Sequence, residues 1–487
     1  MRGCRYLLLL FIIVISSCRV GPRYHPPCIK APDEWKGPQS KEVETPHFTI
    51  WWEVFHDDTL NELQQLAIRN NPNLYVALQN VFYARAQADV EAANLYPQLN
   101  FNPSFVDFES LFQIYLPNAL SLPSLPKTVP PYRVHQMQYQ FPLNMSYEVD
   151  LWGKLRDQYD AASFNAQAEA QAYCTTLLTL TTDLASAYFQ LRSLDAQMDL
   201  LKANIATRKK NLDLTQTRFK WGLINYLDVT QAEVDLADVE ASYEEIVRLR
   251  GVQEDQLAVL TGQIASNFTV EHLPLEGAPP EIPAGIPSTI LFQRPDIAEA
   301  EREMASQHAL INAAYASFFP SLSLTGALGF LSPDIKQFFM WLSRYWALGA
   351  NASQVAFDGG RDYATLQGTY AKFYQANGAY QQQIITAFKE VEDALISIEQ
   401  QSRQSEKLFA AVRSSKQAVA LSTHRYIKGV AIYLEVVENE RLELEAEVKW
   451  VSLQGDRFVS TIQLIKALGG SWMESKAENK RDVTCDG

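Results

Sequence analysis

The chain has 487 residues, 47% of them hydrophobic and 20% charged, a globular composition with ample material for a core. Its 42 Lys and Arg against 56 Asp and Glu leave a net charge of −14, the wrong sign for a nucleic-acid binder, whose affinity rests on phosphate neutralisation. Seven His and five scattered Cys, with no CxxC, HExxH or H-x-H grouping, argue against a metal centre.

The first segment bears on the compartment. Arg2 and Arg5 precede an apolar run from Leu7 to Ile15, followed by Ser16, Ser17 and Cys18, the layout of a signal peptide. This run is too short to cross about 30 Å of hydrocarbon as a helix. It reads as a plain secretory signal or as a lipobox. Ile15-Ser16-Ser17-Cys18 resembles the bacterial lipoprotein signal, whose Cys is lipidated and becomes the first residue, and a Cys at the cleavage point favours that reading. In many Gram-negative bacteria an Asp after that Cys retains the lipoprotein on the inner membrane. Arg19 stands there instead, which points to the outer one. No later stretch is a continuous apolar run of the about 18 residues a spanning helix needs, so anything that spans must be a β-barrel.

Strands come next. From Tyr139 to Asp150 the alternation places Tyr139, Phe141, Leu143, Met145, Tyr147 and Val149 on one face and Gln140, Asn144, Ser146, Glu148 and Asp150 on the other, broken at Pro142. After Pro320, Leu322, Leu324, Leu328 and Phe330 alternate with Ser321, Ser323, Thr325 and Gly329. Weaker runs at about 98–108 and 345–357 complete two hairpins. A lipid-facing barrel wall and a half-buried soluble sheet both alternate in this way. The Pro-rich Ser110–Arg133 stretch, and Phe338-Phe339-Met340-Trp341 with Tyr345-Trp346 as an interfacial aromatic belt, suit the barrel. Four strands cannot close a barrel, so spanning strands require an oligomer.

Two long segments, 143–273 and 334–487, contain no proline, the prolines between them being the 274–295 cluster, Pro320 and Pro333, and they therefore permit long helices. Leu177, Leu180, Leu184, Ala187, Leu191, Leu194, Met198, Leu201 and Ile205 step by 3 and 4 as a coiled-coil seam. Ile384, Phe388, Val391, Leu395 and Ile398 form a second. The halves are copies. Arg218-Phe219, Gly222, Tyr226-Leu227, Asp228 and Val229 recur 207 positions later as Arg425-Tyr426, Gly429, Tyr433-Leu434, Glu435 and Val436, and Gly153 with Gly360 and Gly262 with Gly469 keep the offset. Each copy reads as a helix of about 65 residues, a bend at glycine and a helix of about 35; the longer approaches 100 Å, which implies a rod or tube. The expected organisation is a signal peptide 1–17, an anchored extended segment 18–57, a first repeat 58–273 with hairpin 98–150 and helices 154–262, a linker 274–290, a second repeat 291–470 with hairpin 320–357 and helices 361–469, and a tail 471–487.

Several motifs together carry a family resemblance. Cys18-Arg19-Val20-Gly21-Pro22-Arg23-Tyr24 with Pro26-Pro27, Trp51-Trp52 and Phe55, Tyr96-Pro97, Tyr147-Glu148-Val149-Asp150-Leu151-Trp152-Gly153-Lys154, Arg294-Pro295-Asp296-Ile297, Phe319-Pro320 and Phe357-Asp358-Gly359-Gly360-Arg361 are similar to motifs of TolC-type outer-membrane efflux lipoproteins of the NodT group. The match runs from Cys18 to about Gly470. The resemblance implies a mainly helical chain with transmembrane β: a homotrimer with a twelve-stranded outer-membrane β-barrel, four strands per subunit, continuous with a periplasmic α-helical barrel. It implies export of drugs, metals or other solutes, with a periplasmic adaptor, an RND-type inner-membrane pump and outer-membrane lipid as partners; an enzyme would need a catalytic constellation that the residues do not offer, and no cofactor is expected. It places Leu434 at an apolar constriction, Glu435 and Glu438 at carboxylate rings, Asp228 and Tyr426 in a closed-state contact, and adaptor docking at the Gly222 and Gly429 turns. Three copies of Glu438 around one axis would attract cations and resist joint ionisation. Both Glu stand where Asp is usual, and Ala431 replaces the latch Arg of the best-studied branch. Taken without the resemblance, these carboxylates read as solvated helix faces.

Gly153, Gly359 and Gly360 read as strand-to-helix hinges, and Asp358-Gly359-Gly360-Arg361 lacks the spacing of a phosphate loop. Pro295 beside its charged pair starts and caps a helix. His272 and His308 stand alone. Cys28, Cys174 and Cys485 allow one disulfide of unreadable connectivity. A type I protein-secretion duct and a lipid-anchored coiled-coil scaffold stay open as alternatives.

Overall fold

The structure, a computed structural model, describes residues 19–27, 50–112, 131–280, 282 and 294–470. The signal peptide, Cys18, Cys28, Cys485, the middle of the Pro-rich stretch, most of the linker and the tail lie outside the described residues. Helices α1 (Asp58–Asn70) and α2 (Pro72–Ala93) lead to strands β1 (Gln98–Phe101), β2 (Ser104–Phe112) and β3 (Tyr132–Val149), then α3 (Lys154–Lys220) and α4 (Tyr226–Leu260). The second copy runs α5 (Pro295–Ala316), β4 (Ser321–Ser332), β5 (Arg344–Ser353), α6 (Arg361–Ile427) and α7 (Tyr433–Ala467).

The repeat is kept to the residue. Helices α3 and α6 have 67 residues each and α4 and α7 have 35, all displaced by 207. Helices α2 and α5 have 22 each, displaced by 223, so the first hairpin carries 16 residues more than the second. Both copies close their last helix on the start of the 22-residue one: Asn71 Nδ2 donates to the Leu260 carbonyl (2.9 Å), and Arg294 Nη1 to the Ala467 carbonyl (2.7 Å). Arg294 also binds Asp296 and Glu390 at 2.7 and 2.8 Å. The Arg-Pro-Asp motif is thus a joint between helix ends.

The strands make one antiparallel sheet in which β3 pairs with β1, β2 and β4, and β4 with β5. β1 and β2 share one register against β3. They are parted at Asn102 and Pro103, opposite Pro142, where neither proline has an amide to donate. On one face lie Leu99, Phe101, Phe105, Tyr139, Phe141, Leu143, Leu322, Leu324, Leu328, Phe330, Trp346 and Leu348; on the other Asn100, Gln140, Asn144, Ser146, Glu148, Ser321, Ser323, Thr325 and Asn351. From Val149 to Tyr139 the apolar face runs about 33 Å along β3, close to the ~25 Å height of a transmembrane band once tilted. A Cβ at Gly329 would collide with the Phe141 carbonyl, which fixes glycine in the middle of β4. The expected strand end at Asp150 is corrected: its carboxylate accepts from the Leu155 and Arg156 amides (3.2 and 3.1 Å), capping α3. β5 likewise stops at Ser353, short of the expected 357.

By contact the chain divides into two compact units, each drawing matching portions from both repeats. One comprises Met1–His25, Tyr83–Ala166 and Glu303–Ala376 and holds the sheet; the other comprises Pro26–Phe82, Gln167–Arg302 and Asn377–Gly487. The core of the second gathers Trp51, Leu60, Leu184, Tyr188, Leu191, Leu257, Phe458, Ile462 and Ile465, with Tyr188 Oη donating to Asp57 (2.6 Å). The seam along α3 is apolar only in part. Leu180, Leu184, Ala187, Leu191 and Leu201 are buried, but Leu194, Met198 and Ile205 are half-buried while Arg192, Asp195, Arg208 and Thr215 are buried in their stead. Among the described residues no helix is long and apolar enough to cross a membrane.

Candidate functional site: the two helix turns

Each long helix ends on a glycine with positive φ, Gly222 at 71° and Gly429 at 73°. Gly222 N donates to Phe219 O and Leu223 N to Arg218 O; Gly429 N and Val430 N repeat this with Tyr426 O and Arg425 O, at 2.8–3.0 Å. This is the Schellman closure. A Cβ at either glycine would meet nothing, so the dihedral alone demands it. The following helices start differently. Asn225 caps α4 by accepting from the Leu227 amide, whereas Ile432 ahead of α7 offers no side-chain cap.

Behind the turns, Tyr426, Tyr433, Val436 and Ala232 form a small buried cluster. The Tyr426 ring lies between Tyr433, 5.2 Å away, and the Arg218 guanidinium, 4.7 Å from its centroid. Arg218 Nη2 donates to the Ile427 carbonyl (3.1 Å), so a residue of the first turn ties the helix end at the second, where cations are favoured. The Tyr426 hydroxyl is buried without a hydrogen-bond partner among the described residues. Asp228 lies close enough to help burial raise the Tyr426 pKa, against Arg218. Asp228 is itself raised by burial and opposed by Arg218. The expected pair is therefore adjacent but not hydrogen-bonded within the chain.

Leu434 is 43% exposed. Glu435 is bound by Arg425 (2.8 Å) and Glu438 by Arg441 (3.0 Å). Both carboxylates thus carry an arginine partner that the sequence reading did not name; the 207 offset signalled one, since Arg218 and Asp228 precede Arg425 and Glu435 by that step. Around the turns Trp221, Leu223, Tyr226, Leu227, Val430 and Ile432 stand exposed, Trp221 at 77%.

One step further from the turns, α3, α4 and α7 enclose a polar cluster that went unforeseen. Arg208 Nε lies 2.8 Å from Asp235 and Asn211 Nδ2 donates to Glu440 (2.6 Å). Burial pushes the Glu440 carboxyl up to about 7, with Arg208 opposing. Its second oxygen is buried without a hydrogen-bond partner among the described residues.

At the hinges, Gly153, Gly359 and Gly360 all have positive φ. Asp358 accepts from the Gly360 and Asp362 amides (2.8 and 2.7 Å), and Trp152 stacks on Phe319 and donates to the Pro320 carbonyl (2.8 Å). The N-terminal arm docks beside this hinge: Arg19 reaches Asp160 at 2.5 Å and Asp157 at 3.5 Å, and Val20 N donates to the Trp152 carbonyl. Burial lifts the Asp157 carboxyl to about 6, opposed by Arg19. His272 bridges Asp195 and Asp199, 3.0 Å from each, and His308 packs against Tyr24 and Phe373. Cys174 is exposed and has no disulfide partner among the described residues. Among the described residues no cluster of His, Cys, Asp or Glu could hold a metal ion.

The site thus sits on a chain that joins a sheet apolar on one face to paired long helices, a combination that comparison with known proteins assigns to outer-membrane channels. The outer membrane efflux protein family model matches residues 63–263 and 286–470, and the chain belongs to that family. Outer membrane protein OprJ of Pseudomonas aeruginosa is 28% identical over 475 residues, 96% of each chain. The solvent efflux pump outer membrane protein SrpC of Pseudomonas putida is 29% identical over 479 residues, 96% of this chain and 99% of that one. The outer-membrane channel OprN superposes with a TM-score of 0.85 at 28% identity, covering 93% of this chain and all of that one. The Campylobacter jejuni CmeC outer membrane channel gives 0.82 at 27%, covering 93% and 95%. The chain is an outer-membrane efflux channel protein.

Proposed function

We propose that three copies of the chain close a single barrel of twelve strands over a common helical duct, which takes solute from a periplasmic adaptor and an RND-type pump and releases it outside. The observation that carries this reading is the sheet: one face is apolar, the other polar, and β1/β2 and β5 are edges with no partner among the described residues. In lipid such edges must be paired. A neighbouring copy supplies the complement, β5 of one against β1/β2 of the next. Cys18 carries the lipid anchor, and the docked Arg19 holds that anchor at the strand-to-helix hinge. The exposed Gly222 and Gly429 turns receive the adaptor. Leu434 forms the constriction, and Glu435 and Glu438 line it as carboxylates half-neutralised by Arg425 and Arg441. Asp228 and Tyr426 meet in the closed assembly. Relatives are named for toluene, solvent, antibiotic and pyoverdine efflux or export, a spread that supports a duct without a tight substrate site.

The test is the detergent-corrected mass of Cys18→Ala protein extracted from outer membranes. A trimer that needs detergent is expected; a water-soluble monomer would overturn barrel closure. In bilayer recordings of the same protein, Glu438→Ala should weaken block by a multivalent cation, and unchanged block would remove Glu438 from the mouth.

A further inference from the structure

The connection between β4 and β5, residues 333–343, folds back over the apolar face of the sheet. Ser332 Oγ donates to the Asp334 carbonyl (2.7 Å), Asp334 accepts from the Lys336 amide (2.9 Å), and Ser343 Oγ donates to the Gln337 carbonyl (2.7 Å). These bonds hold two short 3-10 turns, Ile335–Gln337 and Trp341–Ser343. They set Phe338 and Phe339 on Phe141 of β3 and Phe330 of β4, with ring centroids 5.6 to 6.4 Å apart. Under this roof Phe105, Tyr139, Phe141, Ile335 and Phe338 line a groove of about 330 Å³ on the outer wall.

Two observations say what fills it. Beyond Phe105, the same face of β2 turns ionic: Asp107 pairs with His135 (2.7 Å) and Glu109 with Arg133 (3.4 Å). The groove therefore lies just inside the boundary where the apolar band ends. The loop also presents Phe339, Met340, Trp341 and Leu342 outward, the last 92% exposed. Four consecutive exposed apolar side chains are a liability in water but belong at the junction of hydrocarbon and headgroups. The Arg344 guanidinium lies over the Trp341 ring, and Nε donates to the Trp341 carbonyl (3.3 Å), which fixes a cation beside this patch.

We propose that the groove binds one acyl chain of an outer-leaflet lipid, the chain lying against Phe105, Phe141 and Phe338 and its phosphate-bearing headgroup meeting Arg344. The inference rests on the sheet spanning the membrane. It goes beyond generic solvation of a barrel wall, because the loop gives the groove a roof, and two strands away on β5 it holds a cation against Trp341. The occupant is a diacyl glycerophospholipid, since the groove of about 330 Å³ takes one chain and the single cation fixed at Trp341 matches one phosphate.

The experiment is native mass spectrometry of the purified, delipidated assembly after adding back either dioleoyl phosphatidylglycerol or a hexa-acyl diphosphoryl glucosamine disaccharide. Wild type should retain one phosphatidylglycerol per chain, and stronger retention of the glucosamine disaccharide would overturn the assignment. Ile335→Glu, which puts a charge into the groove, should lower retention about tenfold. Arg344→Ala should lower it severalfold for both phosphate lipids and leave retention of dioleoylglycerol unchanged. Equal retention by wild type and Ile335→Glu, in protein that still forms the detergent-requiring oligomer, would overturn the groove while leaving the channel reading intact. If Ile335→Glu prevents assembly, Trp341→Phe gives a second reading in vesicles containing lipid with dibrominated acyl chains. The substitution should remove a quenched component of the fluorescence, and an unquenched Trp341 would overturn the proposal.

Discussion

Between Leu180 and Leu191 the buried face of α3 is mostly apolar, its buried Thr181 and Thr182 hydroxyls bonded back to the Leu178 carbonyl: Phe189 stacks on Phe458 at 4.6 Å, Phe55 lies 4.9 Å from Phe189, and Leu184 and Leu191 have no exposed surface. Between Arg208 and Thr215 the same helix buries a guanidinium against Asp235 of α4 and sets Asn211 on Glu440 of α7. Gly455 of α7 meets α3 at Ser193, where any Cβ would press on the serine side chain at 2.6 Å, and this close approach separates the two regimes. The only titratable side chain that the dry stretch buries is Tyr188, since its Asp183 is exposed and pairs with Lys466 at 3.1 Å, so its packing is the same at any ordinary pH. The polar stretch depends on ionisation and on every partner being present. It also lies two helical turns from Tyr433 and the second bend, so the part of the helix nearest the turns is the part that can be altered by charge.

The sharpest way to break this contrast is Arg208→Ala. It leaves Asp235 and Glu440 buried without their cation, and removing one partner of a buried pair costs about 3–5 kcal/mol. Hydrogen exchange should accelerate in 204–215, 232–239 and 436–444 while 180–191 stays protected. Acceleration spread evenly along α3 would show that the two stretches open as one. Leu184→Ala tests the other side. A buried leucine truncated beside Tyr188 and Ile462 should cost about 3 kcal/mol through lost burial and a residual cavity. That loss should be the same at pH 5 and pH 8.

Glu440→Gln sharpens the comparison by pH. The Glu440 pKa is raised by burial from 4.5 to about 7, so the packed form holds its proton more tightly than the opened form. Its contribution is complete below about 4.5, falls as pH rises and is gone once pH passes about 7, a span of roughly 3 kcal/mol. Glutamine keeps the shape and the acceptor for Asn211 without the charge. Local protection of 436–444 should decline between pH 5 and 8 in wild type and stay level in the variant. An equal decline in both would assign the pH dependence to other groups.

The contrast also shows where sequence reading reaches and where it stops. The long helices were legible because proline is missing from them and because the copies share one offset, which located both glycine turns and their lengths. The alternation of β3 and β4 gave the face of each side chain. The polar stretch was not legible. A seam stepping by 3.5 drifts by about 20° per heptad against a straight helix of period 3.6. After two or three heptads from Leu177, Leu194 and Met198 have rotated towards the rim and Arg192, Asp195 and Arg208 occupy the seam. Nor does the sequence mark that Arg208 will meet Asp235 and Glu440 on two other helices, because partners so distant are set by packing. The carboxylates at the second turn were placed by resemblance alone, and only the structure supplied Arg425 and Arg441.

The smallest effect concerns the turns, where backbone identity conceals a difference in capping. Asn225 supplies an acceptor to the first turn of α4, and Ile432, 67% exposed, supplies none to α7. A side-chain N-cap contributes about 0.5–2 kcal/mol, usually near 1. Asn225→Ala should therefore speed exchange of the 226–229 amides about fivefold, and Ile432→Asn should slow that of 433–436 by a similar factor. The second substitution is the more informative. If α7 starts uncapped because its first turn must unwind when the closed end opens, Ile432→Asn should also lengthen closed dwell times in bilayer recordings. Slower exchange with unchanged dwell times would mean that the cap difference is local, and that opening moves the second turn as a rigid piece.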